Sequence, residues 1–258
     1  MKTMPSVFLG HGSPMLALDR SDVTRSLTAL GERIIRDYGR PKAILMISAH
    51  WYTRRNLVQR TDHPRQIYDM YGFPEELYKV RYPAVGCAAL SDAVLAIPEI
   101  GAEADNSWGI DHGAWTPLVH VFPDAGIPVV QFSVNGVLTP RQCYEVGRLL
   151  APLRSQGYLI MGSGNVVHNL RMVRWESRQG SPEAVAFNSF ITAAVERRDD
   201  EAVIGYAAHP DARYAVPTPD HFLPLLYVLG SCSGRRVTTF NNHLELDSMA
   251  MTGYLIEE

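Results

Sequence analysis

The sequence predicts an α/β fold whose sheet is covered by helices on both faces, and three observations carry that expectation. Short apolar runs recur at Val7 to Leu9, Ala43 to Ala49, Pro128 to Val134 and Tyr158 to Met161. Runs of this length without polar alternation read as strands buried on both sides. Between them stand segments with helical spacing, the clearest being Thr24 to Tyr38 with Leu27, Leu30, Ile34, Ile35 and Tyr38 on one side. The runs are also punctuated by Gly and Pro, as at Gly39-Arg40-Pro41 and Gly162-Ser163-Gly164. Strand and helix in alternation bury a sheet between two helical layers. With 258 residues and 46% apolar composition, the chain can fill one substantial core, and a single domain over 1–258 is expected.

In order along the chain, the first strand and the helix over Thr24 to Tyr38 lead into the second strand, Ala43 to Ala49, which is expected to end at His50. Trp51 to Pro83 reads as a long aromatic and proline-rich excursion, a segment of the kind that often covers a site. Cys87 to Leu95 reads as a short helix, and Thr116-Pro117 as the start of another reaching Phe122, with proline at its first position. Pro128 to Val134 is a strand, Pro140 to Ser155 a helix and Tyr158 to Met161 a strand; Pro182 to Arg197 is helical through Ala184, Phe187, Ile191 and Val195. A helix is expected to open at Thr218-Pro219-Asp220-His221, capped by the threonine. Arg236 to Phe240 and Met249 to Ile256 close the chain as strands.

Composition narrows the function. A net charge of −3 with scattered Lys and Arg offers no footprint for nucleic acid or an anionic membrane, so a small-molecule partner is expected. The opening residues lack the apolar core of a signal peptide and no run is long enough to span a bilayer, which points to the cytoplasm. Oligomeric state leaves no trace. Cys87, Cys143 and Cys232 are widely spaced and odd in number, as expected of buried thiols and not of a disulfide framework or zinc ribbon. Gly230-Ser231-Cys232-Ser233-Gly234 imitates a nucleophile elbow but follows a helix where that motif requires a strand. Gly162-Ser163-Gly164 lacks the third glycine of a dinucleotide fingerprint.

The chemistry rests on histidine. Of the nine, His63, His120, His209 and His243 lie in ordinary polar or helical surroundings and read as structural. His11, framed by Gly10 and Gly12, His50, His168 and His221 fall instead at the ends of regular elements, where open α/β sheets bind ligands. Neutral imidazole is the commonest side-chain ligand of transition metals, so these four form a candidate metal site. His112, between Asp111 and Gly113, is a candidate acid or base beside it. The aromatics Trp51, Tyr71 and Phe73 are candidates for the pocket wall.

Six stretches in sequence order carry a resemblance: His11-Gly12-Ser13-Pro14, Ser48-Ala49-His50-Trp51, Tyr71-Gly72-Phe73-Pro74 with Tyr82-Pro83, Trp108-Gly109-Ile110-Asp111-His112-Gly113, Ser163 to Asn169, and Pro217-Thr218-Pro219-Asp220-His221. Together they resemble the DODA-type aromatic-ring-opening dioxygenases of the class III extradiol, protocatechuate-dioxygenase-like superfamily, over nearly the whole chain. The resemblance implies a three-layer α/β/α sandwich around a central mixed sheet. It implies one divalent metal at His11, His50 and His221, with His168 as fourth ligand or neighbouring base, and His112 in proton transfer or in binding substrate or oxygen.

Relatives of the protocatechuate type complete the triad with a carboxylate, where this chain offers His221. Neutral ligands leave the full charge on the metal, which suits a catecholate and also makes zinc a plausible occupant. The expected reaction is extradiol cleavage. A catechol binds Fe(II) through both oxygens, His168 or His112 helps remove their protons, and O2 opens the ring beside the diol to a semialdehyde. Two rival readings remain: a zinc hydrolase with His112 as acid or base, and a noncatalytic metal-binding scaffold for another protein, of which the superfamily holds a precedent.

Overall fold

A computed structural model describes residues 2–258. The strands are β1 Ser6–Gly10, β2 Ala43–Thr53, β3 Leu57–Val58, β4 Glu103–Ala104, β5 Val129–Asn135, β6 Tyr158–Gly164, β7 Arg236–Phe240, β8 Leu244–Glu245, β9 Met249–Ala250 and β10 Gly253–Glu257. The helices are α1 Asp22–Tyr38, α2 Ala88–Leu95, α3 His112–Val121, α4 Pro140–Leu150, α5 Pro152–Ser155, α6 Pro182–Glu196, α7 Asp200–Ile204, α8 Ala212–Ala215 and α9 Leu223–Ser231.

Eight strands form one mixed sheet in the order β4-β3-β5-β2-β6-β1-β10-β7. Its centre is parallel, β5 with β2, β2 with β6 and β6 with β1, while β10 and β7 add antiparallel neighbours. Alternate residues of the central strands feed two separate cores, as strand geometry requires. In β2, Leu45 and Ile47 join the core built with α4, α6 and α9, whereas Ile44 and Met46 join the one built with α1 and α3. The result is the expected three-layer sandwich. Among the described residues no helix is long and apolar enough to cross a membrane.

Several expected boundaries move for identifiable reasons. The second strand does not stop at His50 but runs to Thr53 through a register irregularity between Ser48 and Tyr52. The helix expected from Thr116 begins four residues earlier, because Asp111 caps it by accepting from the Ala114 amide at 3.1 Å and Pro117 is tolerated inside. The segment over Pro140 to Ser155 is two helices, parted where Pro152 cannot continue the first. The last strand is interrupted at Met251 and Thr252. The helix assigned to Thr218 starts instead at Leu223, after a turn in which the amides of Phe222 and Leu223 both reach the Pro219 carbonyl. Cys143 and Cys232 are buried thiols as expected, and Cys87 is half-buried.

Candidate metal centre

The parallel register lines up the ends of three strands. Leu9 of β1 and Ser48 of β2 both stand abreast of Ser163 in β6, so His11 and His50, each two residues further on, emerge on the same face of the sheet. The chain leaves β1 sharply at Gly12, whose φ of +59° suits glycine and whose missing side chain leaves room for Met251. His221 arrives from the turn before α9. It is held against the end of β6 by the Asn165 amide, which donates to its carbonyl at 2.9 Å. A Cβ at Gly164 would sit 2.1 Å from that carbonyl oxygen, so only glycine permits the approach.

His11, His50 and His221 form a nearly equilateral triangle, with ring centres 5.0, 5.0 and 5.3 Å apart. Imidazoles on one cation with metal–nitrogen bonds of about 2.1 Å, at right or tetrahedral angles, place their ring centres roughly 4.6 to 5.3 Å apart. The triad falls in that window. Three other pairs do not: His50 and His112 approach to 3.9 Å, His11 and His112 stand 5.9 Å apart, and His168 stacks on His221 at 3.5 Å with 7° between planes. His168 and His221, stacked face to face, cannot both direct an in-plane nitrogen at one ion, whereas the rings of His50 and His112 are tilted by 48°. By proximity alone, His11, His50 and His112 form one set of nitrogens able to hold a metal, and His168, Asp220 and His221 a second set of possible ligands.

In His11 and His221 the other ring nitrogen is hydrogen-bonded by a second group, the arrangement that orients metal-binding histidines, and in His50 it lies near a carboxylate. His11 Nδ1 meets Ser163 Oγ at 2.9 Å, His50 Nδ1 lies 3.6 Å from Asp69 Oδ2, and His221 Nδ1 bonds Asp220 Oδ2. The Nε2 atoms of His11 and His50 are 3.1 Å apart, and that of His221 is buried without a hydrogen-bond partner. Such a buried nitrogen is costly unless something else fills its lone pair. The donor set and its geometry therefore fit a divalent cation.

Ser163 does more than touch His11. Pro117 has no amide hydrogen, so the helical bond it would have made to the Gly113 carbonyl is missing, and Ser163 Oγ donates to that carbonyl instead. With its own hydrogen committed there, the Ser163 oxygen accepts from His11 Nδ1–H. This fixes the tautomer in which Nε2 carries a lone pair.

Burial, followed by the positive neighbours that protonation would create, pushes the His11 and His50 rings well below the usual histidine range. For His168 burial and then His221 lower it to about 3. The rings are thus neutral at physiological pH, the form that ligates. Burial works against charge on Asp220 and Asp69, but hydrogen bonds and attraction to His221 and to His112, respectively, outweigh it and hold both carboxyls below their usual range.

His112 is the first residue of α3. Asp69 accepts from its amide at 2.9 Å through one oxygen, and its other oxygen lies 3.0 Å from Nδ1 without the geometry of a hydrogen bond. Asp111 beneath it is fully buried and bonded to Ser48 Oγ, Trp108 Nε1 and the Ala114 amide. His11, His50, His112, His168 and His221 all line one cavity of about 440 Å³, with Tyr71 and Phe73 in its wall. Trp51, the third expected wall residue, is buried in the protein and absent from the lining. His63, His120, His209 and His243 lie away from this cavity; His120, for example, bonds the Leu16 carbonyl at 2.7 Å. Asp69 escaped the sequence reading, although a lone acid within Tyr68-Asp69-Met70-Tyr71 was a usable signal. Ser163 escaped because its role depends on a proline far away in sequence.

The model of the family described as the catalytic LigB subunit of aromatic ring-opening dioxygenase matches residues 5–256. The chain belongs to this family. Among relatives of this extradiol dioxygenase, a 4,5-DOPA dioxygenase extradiol of Escherichia coli K12 is 40% identical, covering 96% of this chain and 93% of its own. One of the same name from Beta vulgaris is 38% identical, covering 87% and 85%. The crystal structure of an uncharacterized protein of Escherichia coli K12 superposes with a TM-score of 0.85 at 37% identity, covering 98% of this chain and 100% of that one. The chain is therefore an extradiol ring-cleaving dioxygenase acting with O2 on a small aromatic molecule.

Proposed function

We propose that this enzyme opens catechol-type rings with O2 at one divalent metal held by His11, His50 and His221, with His112 and His168 as the proton-handling residues. The observation that carries the reading is the triangle of ring centres at 5.0, 5.0 and 5.3 Å, with His11 and His221 hydrogen-bonded from behind. Fe(II) bound there would supply Lewis acidity toward the catechol oxygens and the redox step with O2, whereas Zn(II) would supply only the Lewis acidity.

The protein's own contribution is proton management and exclusion of water. Asp69 occupies the Nδ1 side of His112, which leaves Nε2 as the nitrogen that takes a catechol proton, and the carboxylate stabilises the imidazolium that forms. His168 stacks on His221 and lines the same cavity, where it accepts the second proton or returns one to the opening ring. Met249 and Phe73 close the cavity with apolar surface, so the exposed faces of the rings meet substrate more readily than solvent.

An all-imidazole donor set also suits zinc, which keeps the hydrolase reading specific enough to test. Metal-free protein is loaded anaerobically with Fe(II) or Zn(II), mixed with catechols including 3,4-dihydroxyphenylalanine, and exposed to air. Oxygen uptake with semialdehyde absorbance in the iron form alone supports ring opening. Oxygen-independent ester or amide hydrolysis by the zinc form supports the rival.

A further inference from the structure

We propose that Arg171 is a specificity-determining residue that holds a carboxylate on the side chain of the catechol while the diol faces the histidine triad; this rests on the ring-opening reading above. The cavity of about 440 Å³ that the histidines line does not end at His168. His168, Leu170 and His221 also line a groove of about 320 Å³ together with Arg171, Thr218 and Asp220, so cavity and groove form one depression. Its size exceeds what a bare catechol fills, and a substituent that leaves the ring site past His168 enters the groove of the arginine.

Three charged side chains line this depression, Asp69, Asp220 and Arg171. The two carboxylates already serve histidines: Asp69 lies against His112, and Asp220 bonds His221 Nδ1. Arg171 is different. Among the described residues its guanidinium makes neither an ion pair nor a hydrogen bond, although Arg174, three residues on, is paired with Asp247 at 3.2 Å. The backbone that carries Arg171 is nonetheless held. The buried Asn169 side chain accepts from the Arg171 amide at 3.2 Å and donates to the Tyr214 carbonyl at 2.7 Å, and the Asn169 amide reaches the Ser248 carbonyl at 3.0 Å. An exposed guanidinium on an anchored turn, Leu170–Met172, thus stands three residues beyond a histidine of the ring site. Its paired N–H donors match a carboxylate, and its charge offsets the negative charge that such a substrate adds beside Asp69 and Asp220.

The test uses catechols of similar reach: 3-(3,4-dihydroxyphenyl)propionate and 3,4-dihydroxyphenylalanine, which carry a carboxylate, against 4-propylcatechol and dopamine, which do not. Oxygen uptake by the iron-loaded enzyme gives kcat and KM, and anaerobic calorimetry on the zinc-loaded protein measures binding separately. At equal metal content, R171Q should lower kcat/KM for the two carboxylates about tenfold, mainly through KM, and stay within twofold on 4-propylcatechol and dopamine. R171K should recover part of the loss, and added salt should shrink the advantage of the carboxylates in wild type but not in R171Q. An equal loss on all four catechols, or carboxylate selectivity intact in R171Q, would overturn the proposal while ring opening stands. Carboxylate selectivity lost from R171Q in calorimetry, with no oxygen uptake from any catechol, would instead sustain the role of Arg171 in binding and strike the ring-opening reading.

Discussion

Replacing Ser163 by alanine separates two consequences that the structure ties to one hydroxyl. The substitution removes the donor to the Gly113 carbonyl, which Pro117 has already deprived of its helical partner, and the acceptor for His11 Nδ1 at 2.9 Å. An orphaned buried carbonyl costs about 1–3 kcal/mol, so the metal-free variant should melt several degrees below wild type. Losing the group that sets tautomer and ring orientation typically weakens metal binding by about 10- to 100-fold. The double variant S163A/P117A then discriminates. An alanine at 117 restores an amide for the Gly113 carbonyl, so thermal stability should recover in part, while metal affinity, measured by competition with a chromophoric chelator, should stay low. Wild-type metal affinity in S163A would refute the tautomer argument, and full recovery of affinity in the double variant would show that the serine acts through the helix alone.

Other perturbations read different parts of the site. H112Q should keep the metal yet lose about 10²- to 10⁴-fold in turnover, the usual worth of a general base; unchanged turnover would remove His112 from proton transfer. G164A places a methyl 2.1 Å from the His221 carbonyl and should abolish stoichiometric metal binding with the fold retained by circular dichroism; a metal-replete G164A would mean that His221 is not needed as a ligand. Acid should destabilise the metal-free protein. His11, His50 and His168 are all lowered from 6.5, so the unfolded chain takes up protons first. Their contribution is intact above about pH 6.5 and is lost as pH falls below it, by up to about 1.4 kcal/mol per pH unit for each ring. Urea midpoints that stay level from pH 7 to pH 5 would contradict the neutral-histidine assignment.

Much of the architecture was legible because apolar runs and helical spacing report burial directly. The central strands and α1, α4 and α6 could be placed from Val7, Ile44, Leu159, Leu27, Val146 and Phe187 and their neighbours. The edges were not: β3 and β4 are two residues each, too short for any period, and exist only because β5 offers β3 a partner. Pro117 misled the placement of α3, since proline marks a first turn more often than an interior. For the site, glycine framing and position at strand ends brought out His11, and those cues with the family resemblance brought out His50, His168 and His221. That His168 stacks on His221 while His11 and His50 meet nitrogen to nitrogen is set by parallel register and by the turn before α9, which no local pattern encodes. Asp69 and Ser163 act across long sequence separations, and their partners become visible only in three dimensions.

Diffraction from zinc- or iron-loaded crystals, collected on both sides of the metal absorption edge, tests the central claim most directly. One anomalous peak bonded to the Nε2 atoms of His11, His50 and His221, with His112 outside bonding distance, is the expected result. A peak held by His168 and Asp220 instead, or one that omits any of the three, would contradict the account.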